Sequence, residues 1–271
     1  MNAMQLEPMS VGGIIDGAFT LYRRNFLRFI TIVAIIQVPL SLITLLWATM
    51  MLRGVPSTLE DGDDMRLLLL STVGRIAVLF TAVVGNALCQ GTLTRSVSEA
   101  YLGHETTVGQ TYRSVLPKLV TLIGASLLVG LVTGFGFMLL VVPGVIFALW
   151  FFVTTPSIVV ENHRATAGMS RSKALISGNL GKAFAVGFLA TAIAFIIMVP
   201  ISTAAGLASK MLFANAPLLA LFFRQFAALI GEVLAAPIPA AAAILLYYDL
   251  RIRKEGFDLQ MLSQSMVSNQ G

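Results

Sequence analysis

FLRFITIVAIIQVPLSLITLLWATMML, residues 26–52, carries a single charged side chain, Arg28. A helix needs about twenty mainly apolar residues to cross a hydrocarbon core of roughly 30 Å. This stretch supplies that length and predicts a first span over about Leu27 to Leu52. Five more runs of the same kind follow. Span two covers about Leu67 to Cys89, span three Leu119 to Val142, and span four Val145 to Val160, with Pro143-Gly144 read as the turn between spans three and four. Span five covers about Ala183 to Ser209, interrupted by Pro200, and span six Phe226 to Tyr248, where Pro237 and Pro239 predict a kink. The count becomes five or seven if the hinge at 143 or the 212–225 segment is read differently.

Composition agrees with the runs. Of 271 residues, 57% are hydrophobic and only 11% charged, and the mean hydropathy is +0.86. A soluble domain has about a quarter of its residues charged, so this chain lacks the material for a soluble surface. The expected fold is therefore an all-α polytopic bundle, with residues 1–260 as one membrane domain and 261–271 as a cytoplasmic tail. Cys89 is the only cysteine, which precludes an intramolecular disulfide. The first 25 residues hold Glu7, Asp16, Arg23 and Arg24 with no continuous apolar core, so a cleaved signal peptide is not expected.

The net charge of +5 reflects topology rather than nucleic-acid binding. Thirteen of the 18 basic residues fall on one side of the six-span scheme, four on the other, and Arg75 inside span two. The poorer side also carries Glu60, Asp61, Asp63 and Asp64. This asymmetry predicts cytoplasmic termini.

A semi-polar, helix-compatible segment precedes spans one, three and five. The first starts at Ser10, a helix-capping residue, and places Val11, Ile14, Ile15, Ala18, Phe19 and Tyr22 at helical spacing. The second starts at Thr107-Val108-Gly109, and the third includes Thr166-Ala167-Gly168. Each ends in cations. The order suggests three parallel repeats, each an interfacial helix followed by a helical hairpin. Such helices anchor a chain, and their basic residues Arg23, Arg24, Arg164, Arg171 and Lys173 are candidates for lipid phosphate.

Three stretches carry a family resemblance: SVGGIIDGAFTLYRRNF at 10–26, VVPGVIFALWFFVTTPSIVVEN at 141–162, and LLYYDLRIRKEGFDLQ at 245–260. Between the last two come Arg171-Ser172, Leu175 and Gly178-Asn179. Together they resemble the glycerophosphoryl diester phosphodiesterase membrane-domain family. The resemblance implies a multi-helix protein of the bacterial inner membrane. It does not imply hydrolysis, because the family's name derives from a fused barrel whose histidines and metal-binding carboxylates have no counterpart here.

Within the spans, Arg75 and Glu232 lie at similar depth from the external side and are expected to pair inside the bundle, since an intramembrane charge is costly and usually finds a partner. Gln37, Asn86 and Gln90 are expected to hydrogen-bond between helices. Gly130, Gly134 and Gly136 permit close helix approach, and Glu161 and Asp249 are placed to form boundary ion pairs with Arg164, Arg251 and Arg253. No nucleotide loop, metal motif or nucleophile motif is present, and His104 and His163 are far apart. No cofactor, metal or enzymatic activity is expected. Two readings remain open: a protein that binds or moves a phosphate-bearing lipid or amphiphile, with membrane lipids as partners, or a non-catalytic scaffold for a protein partner.

Overall fold

The computed structural model describes residues 8–54 and 63–256; Glu60, Asp61 and the 261–271 tail lie outside them. The described chain is all-helical, as expected, and six segments are long and apolar enough to cross a membrane. The helices are α1 (Val11–Arg24), α2 (Phe26–Gly54), α3 (Asp63–Tyr101), α4 (Val108–Val115), α5 (Leu119–Leu139), α6 (Val141–Trp150), α7 (Thr154–Glu161), α8 (Ala165–Ile176), α9 (Leu180–Leu212), α10 (Pro217–Ala235) and α11 (Pro237–Glu255). A short helix precedes a long one three times, at α1, α4 and α8.

Local chemistry explains most boundaries. The Ser10 hydroxyl accepts from the Gly13 amide at the start of α1, and Thr107 and Gln110 form a reciprocal capping box at the start of α4. The third short helix departs from this pattern. Its N-cap is Arg164, without a side-chain bond, and Thr166 lies inside the helix. α7 ends at Asn162 and α11 at Gly256, both left-handed, a conformation those two residue types tolerate.

Three spans differ from expectation, and the simplest case is span five, where α9 runs unbroken from Leu180 to Leu212 through Pro200. The turn between α5 and α6 falls at the extended Leu140, not at Pro143-Gly144, which lie in the first turn of α6. Proline is accepted there because a first-turn amide has no intrahelical partner. Gly144 instead serves packing: a Cβ on Gly136 would lie 2.9 Å from the Gly144 Cα. Gly130 and Gly134 have nothing within 4 Å of such a Cβ, so Gly136 alone carries the close approach. The fourth span is a broken helix. Between α6 and α7 the Ser172 hydroxyl accepts from the Val153 amide and donates to the Trp150 carbonyl. A side chain on α8 thus satisfies backbone groups freed by the break, as burial in a bilayer requires. Span six extends over two helices meeting at Ala236, with Pro237 opening α11.

α11 is the centre of the molecule. Thirteen of its 19 residues are buried, and α1, α9, α3, α8 and α7 all pack on it. The apolar side of α1 is covered by this packing rather than by lipid: Ile14 and Ala18 are wholly buried. A helix buried on all sides must bring its polar groups to partners. Asp249, 0% exposed, accepts from the Met9 amide at 2.7 Å, from Arg253 Nε at 3.1 Å and from Lys182 Nζ. Lys182 and Arg253 both donate onward to the Met9 carbonyl. Tyr248 shares a hydrogen bond with Ser98 of α3.

A second cluster adjoins the first. Glu161, at the end of α7, accepts from Arg171 Nε at 2.9 Å and Nη2 at 3.0 Å, from the Tyr247 hydroxyl, and lies 3.4 Å from Arg251 Nε. Arg171 also pairs with Glu255. Lys254 caps the carbonyls of Ala174 and Ser177 at the end of α8. These bonds tie α1, α3, α7, α8, α9 and α11 together at one end of the bundle, the basic end. Removing one partner of a buried ion pair leaves the other charge unpaired. Asp249→Ala should therefore lower unfolding free energy by about 3–5 kcal/mol, measured by denaturation in detergent; wild-type stability would contradict this role.

Candidate functional site

Away from that saturated end, α2 carries Gln37, Ser41 and Thr44 at intervals of four and three residues, the spacing of one helical face. Gln225 and Glu232 stand seven apart on α10, and Ala82 and Asn86 four apart on α3. All seven line one slot of about 240 Å³. α2 forms its floor and packs on both neighbours, while α3 and α10 do not pack extensively on each other. The slot is thereby a cleft between α3 and α10. The α2–α3 approach depends on glycine: a Cβ at Gly85 would come within 2.3 Å of Leu40 Cδ1, and one at Gly74 within 1.8 Å of the Trp47 ring.

The Gln37 amide, 8% exposed, donates to the Glu232 carboxylate. Gln37 lies eleven residues along α2 from Phe26, about 16 Å at 1.5 Å per residue. That is close to the middle of a hydrocarbon layer roughly 30 Å thick. Asn86 is exposed and Gln225 half-buried, and neither has a hydrogen-bond partner among the described residues. An amide moved into an apolar medium without a partner costs about 2–7 kcal/mol. Their convergence on one cleft beside Glu232 offers unpaired donors and acceptors to a hydrogen-bonding group. The volume would hold roughly eight waters at about 30 Å³ each, or a small polar headgroup.

The expected Arg75–Glu232 pair is not formed. Arg75 is exposed on α3 and makes no ion pair among the described residues; Glu232 is met by Gln37 instead. The two residues differ in height: Gly74 abuts Trp47, whereas Glu232 meets Gln37, ten residues or about 15 Å away along α2.

The basic candidates divide. Arg171 is occupied by Glu161 and Glu255, which push its pKa up and hold it charged, so it is not a free phosphate ligand. The Lys173 ammonium sits 4.3 Å over the Trp150 ring. Arg164 is exposed but belongs to α8, which has no contact with the slot helices α2 and α10 strong enough to place it there. Arg23 and Arg24 are exposed at the end of α1. Neither lines the slot; Tyr22, just before them, donates its hydroxyl to the Leu234 carbonyl at 3.0 Å, two residues from Glu232.

Glu161 and Asp249 form the boundary pairs expected with Arg251 and Arg253. The additional partners Arg171 and Lys182 were not anticipated, nor were Ser41, Thr44 and Gln225 in the slot. Their shared helical phase with Gln37 and Glu232 was the available signal. A larger groove of about 370 Å³ lies between α5 and the α6–α7 break. It is lined mainly by apolar groups, with the unpartnered hydroxyls of Thr133 and Thr154, and brings no charged residue to bear.

Comparison with family models, with curated proteins and with solved structures finds no match to this chain.

A hydrated slot has a direct consequence. In a Cys89→Ala background, Asn86→Cys should react with a small water-soluble methanethiosulfonate, whereas Phe80→Cys, exposed on the opposite face of the same helix, should not. Equal reactivity at both positions would contradict the slot.

Proposed function

We propose that this chain is a multi-pass protein of the bacterial inner (plasma) membrane that binds a phosphate-bearing lipid or related amphiphile, without a catalytic step. The observation that carries the reading is the laterally open slot, where Glu232 and the unpartnered Asn86 stand near mid-membrane depth. In this reading the basic end faces the cytoplasm with both termini, following the charge asymmetry of the loops. The three short helices act as the leading elements of three parallel hairpin repeats, α1 being docked on α11 rather than laid in the interface. The resemblance to the glycerophosphoryl diester phosphodiesterase membrane domain supports the membrane class and contributes no activity.

Phosphate is assigned to Arg23 and Arg24, exposed and uncommitted, at the inner end of the slot. An arginine near a membrane surface contributes about 1 kcal/mol toward an anionic group. Arg164 is a weaker contributor in this scheme because it stands apart from the slot, and Arg171 is a structural residue.

Native mass spectrometry after gentle extraction tests this. One phosphate-bearing lipid should be enriched, and Arg23→Ala with Arg24→Ala should weaken its retention roughly thirty-fold. Arg171→Ala should lower Tm while leaving headgroup selectivity intact. Bulk lipids alone, accompanied by a stoichiometric protein partner, would support the scaffold reading instead.

A further inference from the structure

We infer that the slot is a path along which the headgroup of a zwitterionic phospholipid, bearing both phosphate and ammonium, passes between the two leaflets. This rests on the lipid-binding reading above and extends it from a resting place to a route.

Arg75 stands seven residues before Ala82 and eleven before Asn86, within about 20° of each around the α3 axis. Both of those residues line the slot, so Arg75 continues the same face outward. The packing register gives its height: Gly74 abuts Trp47, three residues past Thr44, or about 5 Å beyond the outer end of the α2 polar stripe. Arg75 is exposed and has no ion pair among the described residues. That height is the outer edge of the hydrocarbon layer, where an arginine without a protein partner is placed to meet an anionic headgroup at the mouth of the cleft.

From there the polar groups follow inward in sequence. Gln225 and Thr44 come first, then Ser41 and Asn86, then Glu232 with Gln37. Gln90, half-buried, is one turn further in along α3. The inner end is marked by Tyr22, bonded to the Leu234 carbonyl, and by exposed Arg23 and Arg24. The track thus has arginine at both ends and a carboxylate between. Arginine pairs with phosphate, and a carboxylate flanked by amides accepts from an ammonium. A zwitterionic headgroup finds a partner for each charge at successive positions, while its acyl chains stay in lipid through the open side between α3 and α10. A purely anionic headgroup would meet Glu232 as a like charge.

The test uses the full chain in phosphatidylethanolamine–phosphatidylglycerol vesicles with a trace of acyl-labelled NBD-phosphatidylethanolamine, bleached from outside by dithionite. Wild type should expose nearly all the label, where protein-free vesicles protect about half, as expected for a bilayer with two leaflets. Arg75→Ala should slow the movement roughly five-fold, while Arg113→Ala, exposed on α4, should not. Acyl-labelled phosphatidylglycerol should move more slowly than the ethanolamine lipid. Because Arg75 is exposed and unpaired, its removal leaves packing intact, which circular dichroism of the same sample checks. Retention of lipid by mass spectrometry is read in parallel. Bound lipid with half the label still protected would overturn the route and leave the binding site standing. No bound lipid and no movement would overturn both. An Arg75→Ala variant at wild-type rate would also overturn the route, and equal rates for the two lipids would remove the zwitterionic class.

Discussion

The carboxylate of Asp249 is completely enclosed and answered by three donors from three separate segments: the Met9 amide ahead of α1, Lys182 at the start of α9, and Arg253 one turn along α11. A buried charge is tolerated only when partners replace its water. Meeting that condition fixes where α1 and α9 run along α11. The Glu161 cluster repeats the logic for α7 and α8, again using α11 through Tyr247, Arg251 and Glu255. The basic end is consequently rigid. Its charges are consumed in holding helices together, and the conspicuous Arg171 is among them.

The slot shows the opposite condition. Polar groups at comparable or greater depth are left open, with Asn86 and Gln225 unpartnered among the described residues and Arg75 unpaired. The glycine-dependent contact of α2 with α3 and the packing of α2 on α10 hold the walls apart without closing them. A rigid end and an unsatisfied cleft together describe a scaffold that presents a polar site to the bilayer. Function is assigned to the groups that packing does not consume.

The membrane class and the spans were legible because a bilayer imposes length and apolarity on any segment that crosses it. Helix starts at Ser10 and Thr107 were legible from short-range capping chemistry. What depended on neighbours was not. Pro143-Gly144 reads as a turn in isolation, yet Gly136 opposite Gly144 makes it part of a packed helix. Nothing in Phe151-Phe152-Val153 signals a break; the Ser172 hydroxyl, 19 residues from Val153, makes it tolerable. The Arg75–Glu232 pairing failed because the helix carrying Glu232 starts at Pro217, well before the apolar run at Phe226, so Glu232 lies deeper and meets Gln37 while Arg75 stands near Trp47. The slot was partly legible: Gln37, Asn86 and Glu232 stood out as polar residues in spans, and adding helical phase would have brought in Ser41, Thr44 and Gln225. Lys182 as the partner of Asp249 required knowing that α9 and α11 run side by side.

The measurement closest to the central claim is a structure of the protein in lipid nanodiscs by electron cryo-microscopy. The account predicts elongated lipid-like density between α3 and α10, its headgroup within hydrogen-bonding reach of Glu232 and Asn86. A slot closed by direct packing of α3 on α10, with Asn86 and Gln225 bonded to protein, would contradict it.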